Sequence, residues 1–154
     1  YDKLIIIHAD DQYPVECIAQ LVELHSKGNA AMSLGTRLKH PDIKKVMPKF
    51  RYTVNNIHGA VNNLVYGLKL DEWNSEFRLY DLKFMRGVDI DRLGNSSNYT
   101  LDSLIAIKLN GGEIDQFVIP CNYPPDAHHP AFWDSVFYGI HNLYRALKYI
   151  LFKR

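Results

Sequence analysis

The stretch Leu4-Ile5-Ile6-Ile7-His8-Ala9-Asp10-Asp11-Gln12-Tyr13-Pro14 decides the fold. Its four apolar residues read as a buried strand, and the strand ends in imidazole and carboxylate side chains. Open α/β sheets build sites for metal-bound phosphates in this way, with ligands delivered at the C-terminal ends of strands. The chain begins almost inside this strand, with no earlier βα unit, and on that ground is expected to be the later part of a larger domain.

Downstream, Val15, Ile18, Ala19, Leu21, Val22 and Leu24 recur at helical spacing after Pro14 until Gly28 stops them. Ala31 to Leu34 is a short buried strand, followed by Gly35-Thr36-Arg37 and a loop through Pro41 to Pro48. A second helix is predicted over Phe50 to Tyr66, with Val54, Ile57, Val61, Leu64 and Val65 on its apolar side and Gly67 as its stop. Phe77 to Tyr80 reads as a strand, Leu101 to Leu109 as a helix ended by Gly111-Gly112, and Phe117 to Pro120 as an apolar strand. The last helix starts near Phe132. The order βαβ-α-β-α-β-α, without repeat or linker, belongs to one α/β layer arrangement.

Composition narrows the function. With 154 residues and 47% apolar content the chain can bury a sizeable core. A formal charge of +1 argues against a general nucleic-acid binder. The charge is uneven, since Lys44, Lys45, Lys49 and Arg51 crowd one segment and Lys148, Lys153 and Arg154 close the chain. Cys17 and Cys121 form no spaced pair, which favours a reducing compartment. No apolar run long enough to span a bilayer is visible, and a chain truncated at its N-terminus could show no signal peptide; the cysteine usage makes the cytoplasm, or the cytoplasmic face of a membrane, the expected place.

On an extended strand end His8 and Asp10 point the same way and Asp11 the other. A divalent ion bridging two phosphates needs only one or two protein oxygens, which makes Asp10 the first candidate ligand and His8 or Asp11 the second. The alternative is that Asp10 or Asp11 merely caps the helix entered at Pro14. Both readings stay open on these residues. His128 and His129 sit in a Pro-rich loop beside no Cys or third histidine at metal spacing, so no zinc site is expected. Asn95-Ser96-Ser97 and Asn98-Tyr99-Thr100 match the glycosylation sequon and read as loop polar residues.

Taken together, the motifs resemble the family 2 glycosyltransferases of the GT-A fold. Asp10 stands where the second aspartate of their metal-binding Asp-x-Asp motif stands, and Gln12, Tyr13, Pro14 and Glu16 follow as in their aspartate-glutamine-aromatic-proline runs. Gly35-Thr36-Arg37 looks like their Gly-Ser-Arg. A bacterial subgroup similar to polyprenyl-phosphate sugar synthases (the dolichol-phosphate mannosyltransferase-like enzymes) is closer still. Its His-Pro-Asp-Tyr-Gln-Tyr pattern is echoed by His8 to Tyr13. Its Met-Pro segment, asparagine-bearing helix and Ser-Glu-Tyr-His-Thr-Gly-Tyr-Arg motif are similar to Met47-Pro48, to Asn55 and Asn63, and to Asp71 through Arg78. Leu101-Asp102, Pro120 and Tyr123 to Ala127 complete the likeness. Four positions depart from it: Glu76 replaces a glycine, Asn62 a glutamate, and His128-His129 a serine pair.

The resemblance implies the C-terminal portion of a GT-A domain, a mixed sheet with packed helices over residues 1–131, followed by an amphipathic helix at 132–154. The half that holds the base and ribose of the nucleotide would be missing, and the chain alone would then bind a sugar nucleotide poorly. The implied reaction is attack on the anomeric carbon of a nucleotide-sugar donor, with Mg or Mn neutralising the diphosphate leaving group. Asp10, with His8, would hold the metal. Arg37, Arg78 and Gln12 would contact the donor, and Lys49 and Arg51, with Lys44 and Lys45, the phosphate of a lipid acceptor. Glu72 is the candidate general base and Asp102 the second. With a phosphate-monoester acceptor, already ionised near pH 7, Glu72 would position rather than deprotonate.

The closing helix carries Phe132, Trp133, Val136, Phe137, Ile140, Leu143, Tyr144, Leu147, Ile150 and Leu151 on a wide apolar face, with Arg145 and the terminal lysines toward its end. Such a face either packs on the domain or lies on the anionic cytoplasmic leaflet as a peripheral contact. Two function classes follow: a sugar transferase acting on a polyprenyl phosphate or glycan acceptor, or a non-catalytic carbohydrate- or partner-binding remnant of one.

Overall fold

The computed structural model describes residues 1–86, 99–122 and 132–152, the last stretch with side chains from 136 to 151. The Tyr123 to Ala127 motif, His128, His129, the sequon asparagines 95 and 98, Lys153, Arg154 and the side chains of Phe132 and Trp133 lie outside the described residues.

The protein is a mixed α/β fold built on a four-stranded open sheet. The elements run β1 (Lys3–Ile6), a 3₁₀ turn (Val15–Cys17), α1 (Ile18–Lys27), β2 (Met32–Thr36), α2 (Ile43–Val46), α3 (Lys49–Tyr66), β3 (Arg78–Asp81), α4 (Leu82–Met85), α5 (Tyr99–Leu109), β4 (Ile114–Val118) and α6 (Phe132–Phe152). The strand order is β1-β3-β2-β4. β3 runs antiparallel to both neighbours, pairing Arg78 with Ile6 on one side and Leu34 on the other. β4 runs parallel to β2 in the register Met32 to Ile114 through Thr36 to Val118. The three remaining strands therefore end at the same edge of the sheet, where β3 begins, and the polar residues gather there.

Two apolar layers cover the sheet because successive strand residues face opposite ways. Met32, Leu34 and Tyr80 look toward Tyr66, Trp73, Leu101, Leu104 and Ile107. Phe77, Leu79 and Ile119 look toward Tyr13, Cys17 and Leu21. Gly35 has to be glycine, since a Cβ there would come within 2.7 Å of Ile119 and 2.8 Å of Phe77. That close approach sets the strand end from which Arg37 departs.

α3 ends where Gly67 adopts a left-handed conformation at φ 65°, as the sequence indicates. Its facing is different from the expected one. Gly59, Asn62 and Tyr66 are its buried residues, whereas Ile57 and Leu64, expected to face the core, are exposed. The segment after the helix explains the inversion. Trp73 comes to Gly59, where even a methyl would sit 3.7 Å from its ring, and Asn63 clamps the returning chain. The Asn63 side chain accepts from Leu70 N at 3.0 Å and Trp73 Nε1 at 2.9 Å, and donates to Leu70 O at 2.8 Å.

Two boundaries also shift. β4 starts at Ile114 rather than Phe117, because an edge strand tolerates the alternating Asp115 and Gln116 that an apolar-run criterion excludes. The loop before Pro48 holds the short helix α2, seated on the Leu38, Ile43 and Met47 cluster.

α6 lies along α3 in the same direction. Tyr138 meets His58 with ring centroids 5.7 Å apart, and Tyr149 meets Tyr66 at 4.8 Å. Its anchor on α5 is Arg145, whose guanidinium sits 2.5 Å from the Asp102 carboxylate. Among the described residues no helix is long and apolar enough to cross a membrane.

Candidate functional site

Past the end of β1 the backbone turns sharply at Asp11, a non-glycine residue at φ 57°, a region that Asp tolerates better than most residues. The turn presents Asp10 at the sheet edge. Its Oδ1 accepts from Gln12 N at 3.2 Å and its Oδ2 from Gln12 Nε2 at 2.8 Å, with His8 Nδ1 2.9 Å from the same oxygen. No side chain caps the 3₁₀ turn that follows Pro14, nor α1 after it, so the capping alternative for Asp10 and Asp11 is not the observed one. His8 bridges two carboxylates. Its second ring nitrogen, Nε2, is 3.8 Å from Glu76 Oε2, across the gap between β1 and the start of β3.

Gln12 links this group to a second one, because its Oε1 accepts from Arg37 Nη1 at 3.2 Å. Arg37 and Glu72 form a buried pair with several bonds. Glu72 accepts from Arg37 N at 2.7 Å, from Nε at 3.0 Å and from Nη2. The Tyr13 ring covers the guanidinium at 4.7 Å from its centroid. Glu72 is completely buried and Arg37 nearly so. Local packing holds the carboxylate in place: Trp73 is sunk in the core beside it, and the Ser75 hydroxyl donates to Gly35 O two residues before Arg37.

Burial pushes the Tyr13 phenol well above its ordinary value, against the pull of Arg37 and with Glu72 adding to the rise. It stays protonated at neutral pH, and its oxygen accepts from Glu76 N at 2.9 Å. The Cys121 thiol, just past β4, is pushed up to about 11, first by burial, with Arg37 opposing and Glu72 and Asp10 contributing to the rise. Its neighbour Asn122 donates its backbone N–H to Gln12 O at 3.4 Å, which brings the end of β4 to the same group.

Five of the nine sequence candidates, His8, Asp10, Gln12, Arg37 and Glu72, thus stand at one edge of the sheet. The other four are not part of this group, although Arg78 opens β3 at the same edge. Arg78 is wholly buried on β3 and donates to Trp73 O at 3.0 Å, Ser75 O at 2.6 Å, Thr100 O at 2.7 Å and Ser103 Oγ at 3.0 Å, so it ties the β3 approach to α5. Asp102 is buried on α5 against Arg145. Lys49 is exposed and Arg51 half-buried in the first turn of α3. Sequence reasoning missed Tyr13, Ser75 and Cys121 as members of the site and took Glu76 only as a departure. The aromatic after Gln12 was the one signal on hand for Tyr13.

For a divalent ion, the fit rests on Asp10. Among the described residues no group of three or more His, Cys, Asp or Glu side chains comes together as a complete metal cage. A magnesium-type ion does not need one when substrate phosphates and water complete its shell. No protein-family model matches the chain, and no curated protein matches it.

Proposed function

We propose that this chain takes part in transferring a sugar from a nucleotide-sugar donor to an acceptor, preferably a lipid phosphate, within a GT-A-type glycosyltransferase domain. The observation that carries the reading is Asp10, presented at the edge where β1, β2 and β4 end and held there by Gln12 and His8. The mixed sheet agrees with the resemblance. A bound Mg or Mn would supply charge neutralisation on the departing diphosphate. Asp10 would hold it, with Gln12 fixing the carboxylate and His8 as the adjoining donor.

Glu72 has the role of a positioning residue. With donors from Arg37 on both oxygens, it is no free proton acceptor, and a phosphate acceptor whose second pKa is near 6 needs none. Arg37 in turn braces the loop after β2 and, through Gln12, the metal carboxylate. Lys49 and Arg51, with Lys44 and Lys45, supply positive charge for the acceptor phosphate.

One observation favours the second reading, a non-catalytic carbohydrate- or partner-binding role: Arg37 and Glu72 bond to each other. The discriminating experiment uses the protein that contains this chain, assayed for release of nucleotide from sugar nucleotides with a polyprenyl phosphate, alongside Mn²⁺ binding read by electron paramagnetic resonance. Turnover that stops in chelator and a Mn²⁺ signal lost in Asp10→Asn support transfer. Sugar binding without turnover, at any metal concentration, supports the second reading.

A further inference from the structure

The sheet has a second end, away from Asp10. Where β1 and β2 begin and β3 stops, a cavity of about 470 Å³ is bordered by the last turns of α1 and by α4. That volume lies within the range of small-molecule sites, about 300–1,000 Å³. Val22, Leu79 and Phe84 give it apolar walls, and His25, Asn29 and Lys83 bring polar groups to it. His25 is its most firmly built part. The residue is 5% exposed, and its Nδ1 lies 2.9 Å from the hydroxyl of Ser33, itself fully buried on β2. A serine bonded to a histidine is also the start of a nucleophile–base pair, but no substrate reaches a hydroxyl with no exposed surface. The pair orients the ring instead. When Ser33 gives its proton to Nδ1, the ring N–H falls on Nε2, the nitrogen left for the cavity.

The charges set the ligand class. Burial, with Lys3 adding to it, holds the His25 imidazole below its ordinary value against the pull of Asp81 and Asp115, so at neutral pH the ring is an uncharged donor. Lys3 is already matched, its Nζ 2.6 Å from Asp81 Oδ2, and Asp81 Oδ1 accepts from Lys83 N at 2.9 Å. The Lys83 ammonium has no ion-pair partner among the described residues, which leaves the lining with one unspent positive charge. A dianion such as a phosphate monoester would meet the repulsion of Asp81 and Asp115, both close enough to act on His25. A single carboxylate meets one ammonium and one neutral N–H, and the apolar walls take a hydrocarbon body.

We propose that this cavity is a binding site for a small organic monocarboxylate with an apolar or aromatic body, its carboxylate held by Lys83 and His25 Nε2. This goes beyond the transfer chemistry and does not depend on it: Asp10 and Gln12 stand past the opposite end of β1 and can be altered without touching the cavity.

The test is nuclear magnetic resonance of the isotope-labelled full chain, titrated with phenylacetate. Saturable shifts are expected at the His25 ring and at the Asn29 and Lys83 amides. Phenylacetamide, the same body without the charge, should bind about tenfold more weakly, and benzyl phosphate should also bind more weakly than phenylacetate. Lys83→Gln should weaken phenylacetate about fivefold, the upper end for an exposed ion pair. Val22→Trp, a change at a position 44% exposed, fills the cavity from α1 and should remove binding. Both positions are exposed, so unchanged circular dichroism and melting separate a lost site from lost folding. Asp10→Asn should leave the affinity unchanged, which keeps this result apart from the fate of the transfer reading. Absence of saturable shifts overturns the proposal. So do shifts at Lys83 with none at the His25 ring, which mean ion association at the surface, and so does binding that survives Val22→Trp. Tighter binding of inorganic phosphate or benzyl phosphate than of phenylacetate gives the cavity to a different anion and overturns the carboxylate assignment.

Discussion

Glu72→Gln separates a structural carboxylate from a chemical one. In the wild type, Glu72 is fully buried and receives the Arg37 backbone N–H, Nε and Nη2, and Arg37 itself is 5% exposed. The substitution keeps the shape but removes the charge and turns one oxygen into an amide that points its hydrogens at guanidinium donors. What remains is a buried cation whose counter-charge is gone, a change that costs about 3–5 kcal/mol. Domains are stable by about 5–15 kcal/mol, so the loss is a large share of the total. At about 2–4 °C per kcal/mol for a chain of this size, Tm should fall by roughly 6–20 °C.

Urea denaturation followed by circular dichroism measures the loss directly, provided the m-value is unchanged. Arg37→Met alone should cost a similar amount, because it leaves the carboxylate buried. The double variant Arg37→Met/Glu72→Leu should recover much of it, which gives a coupling energy at the upper end of the range for contacting residues, about 2–3 kcal/mol. If Glu72→Gln melts within about 0.5 kcal/mol of wild type and the two single effects add, the pair is not holding the site together. A Glu72→Gln protein that folds normally but loses transfer would instead make Glu72 a proton acceptor.

Asp10→Asn should leave stability nearly unchanged and lower kcat/KM for sugar transfer by on the order of 10² or more, as for loss of a transition-state charge contact; full activity in excess chelator would refute this. Burial holds the His25 and His58 imidazoles below their ordinary value, with Lys3 adding to the effect at His25. The unfolded chain therefore binds more protons below about pH 6.5, so stability should be fully present above that value and decline as pH falls through the lowered values. His58→Gln should flatten that slope in thermal melts taken between about pH 7 and pH 5, and an unchanged slope counts against the assignment. Cys121, with its thiol raised to about 11, should react with a disulfide reagent at least about tenfold more slowly than a free cysteine at neutral pH; equal rates would place it in water.

Where a signal is local, the sequence carried it. The strand into His8, the Gly28 and Gly67 stops and the α5 span each rest on neighbours within one element, and each appears in the structure within a residue or two. The burial expected of that first strand does not hold: β1 is an edge strand with Leu4 45% exposed and Ile5 and Ile6 half-buried, because among the described residues only β3 pairs with it. The buried pair could not be read in that way. Arg37 and Glu72 are 35 positions apart, and only the antiparallel insertion of β3 between β1 and β2 folds the Asp71 to Phe77 segment back over the end of β2. The sequence reading put both residues in a site but gave Arg37 to the donor phosphates and Glu72 to proton transfer, because a pattern of residue types does not show which charges are already paired. Arg78 illustrates the same limit. Its place beside the others in the motif gave no hint that its acceptors would be backbone carbonyls from Trp73, Ser75 and Thr100.

The inverted face of α3 is a different kind of failure. Helical periodicity correctly grouped Ile57 and Leu64 on one stripe, and the error lay in assuming that a helix turns its apolar stripe toward its own core. That assumption holds when burial in the chain is the only way to leave water. Here Trp73, which packs on Gly59, and the Asn63 clamp use the other side, and Tyr66 reaches Tyr149 from it, so Gly59 and Asn62 turn inward with them. Stability of the fold therefore does not require Leu64 at all, because at 86% exposure it contributes almost nothing to the core. Its replacement by Glu should leave Tm within about 0.5 kcal/mol of wild type, the usual range for surface changes. A large loss of stability on that substitution would mean that Leu64 is buried in the fold after all, and that α3 faces the way its apolar periodicity suggests.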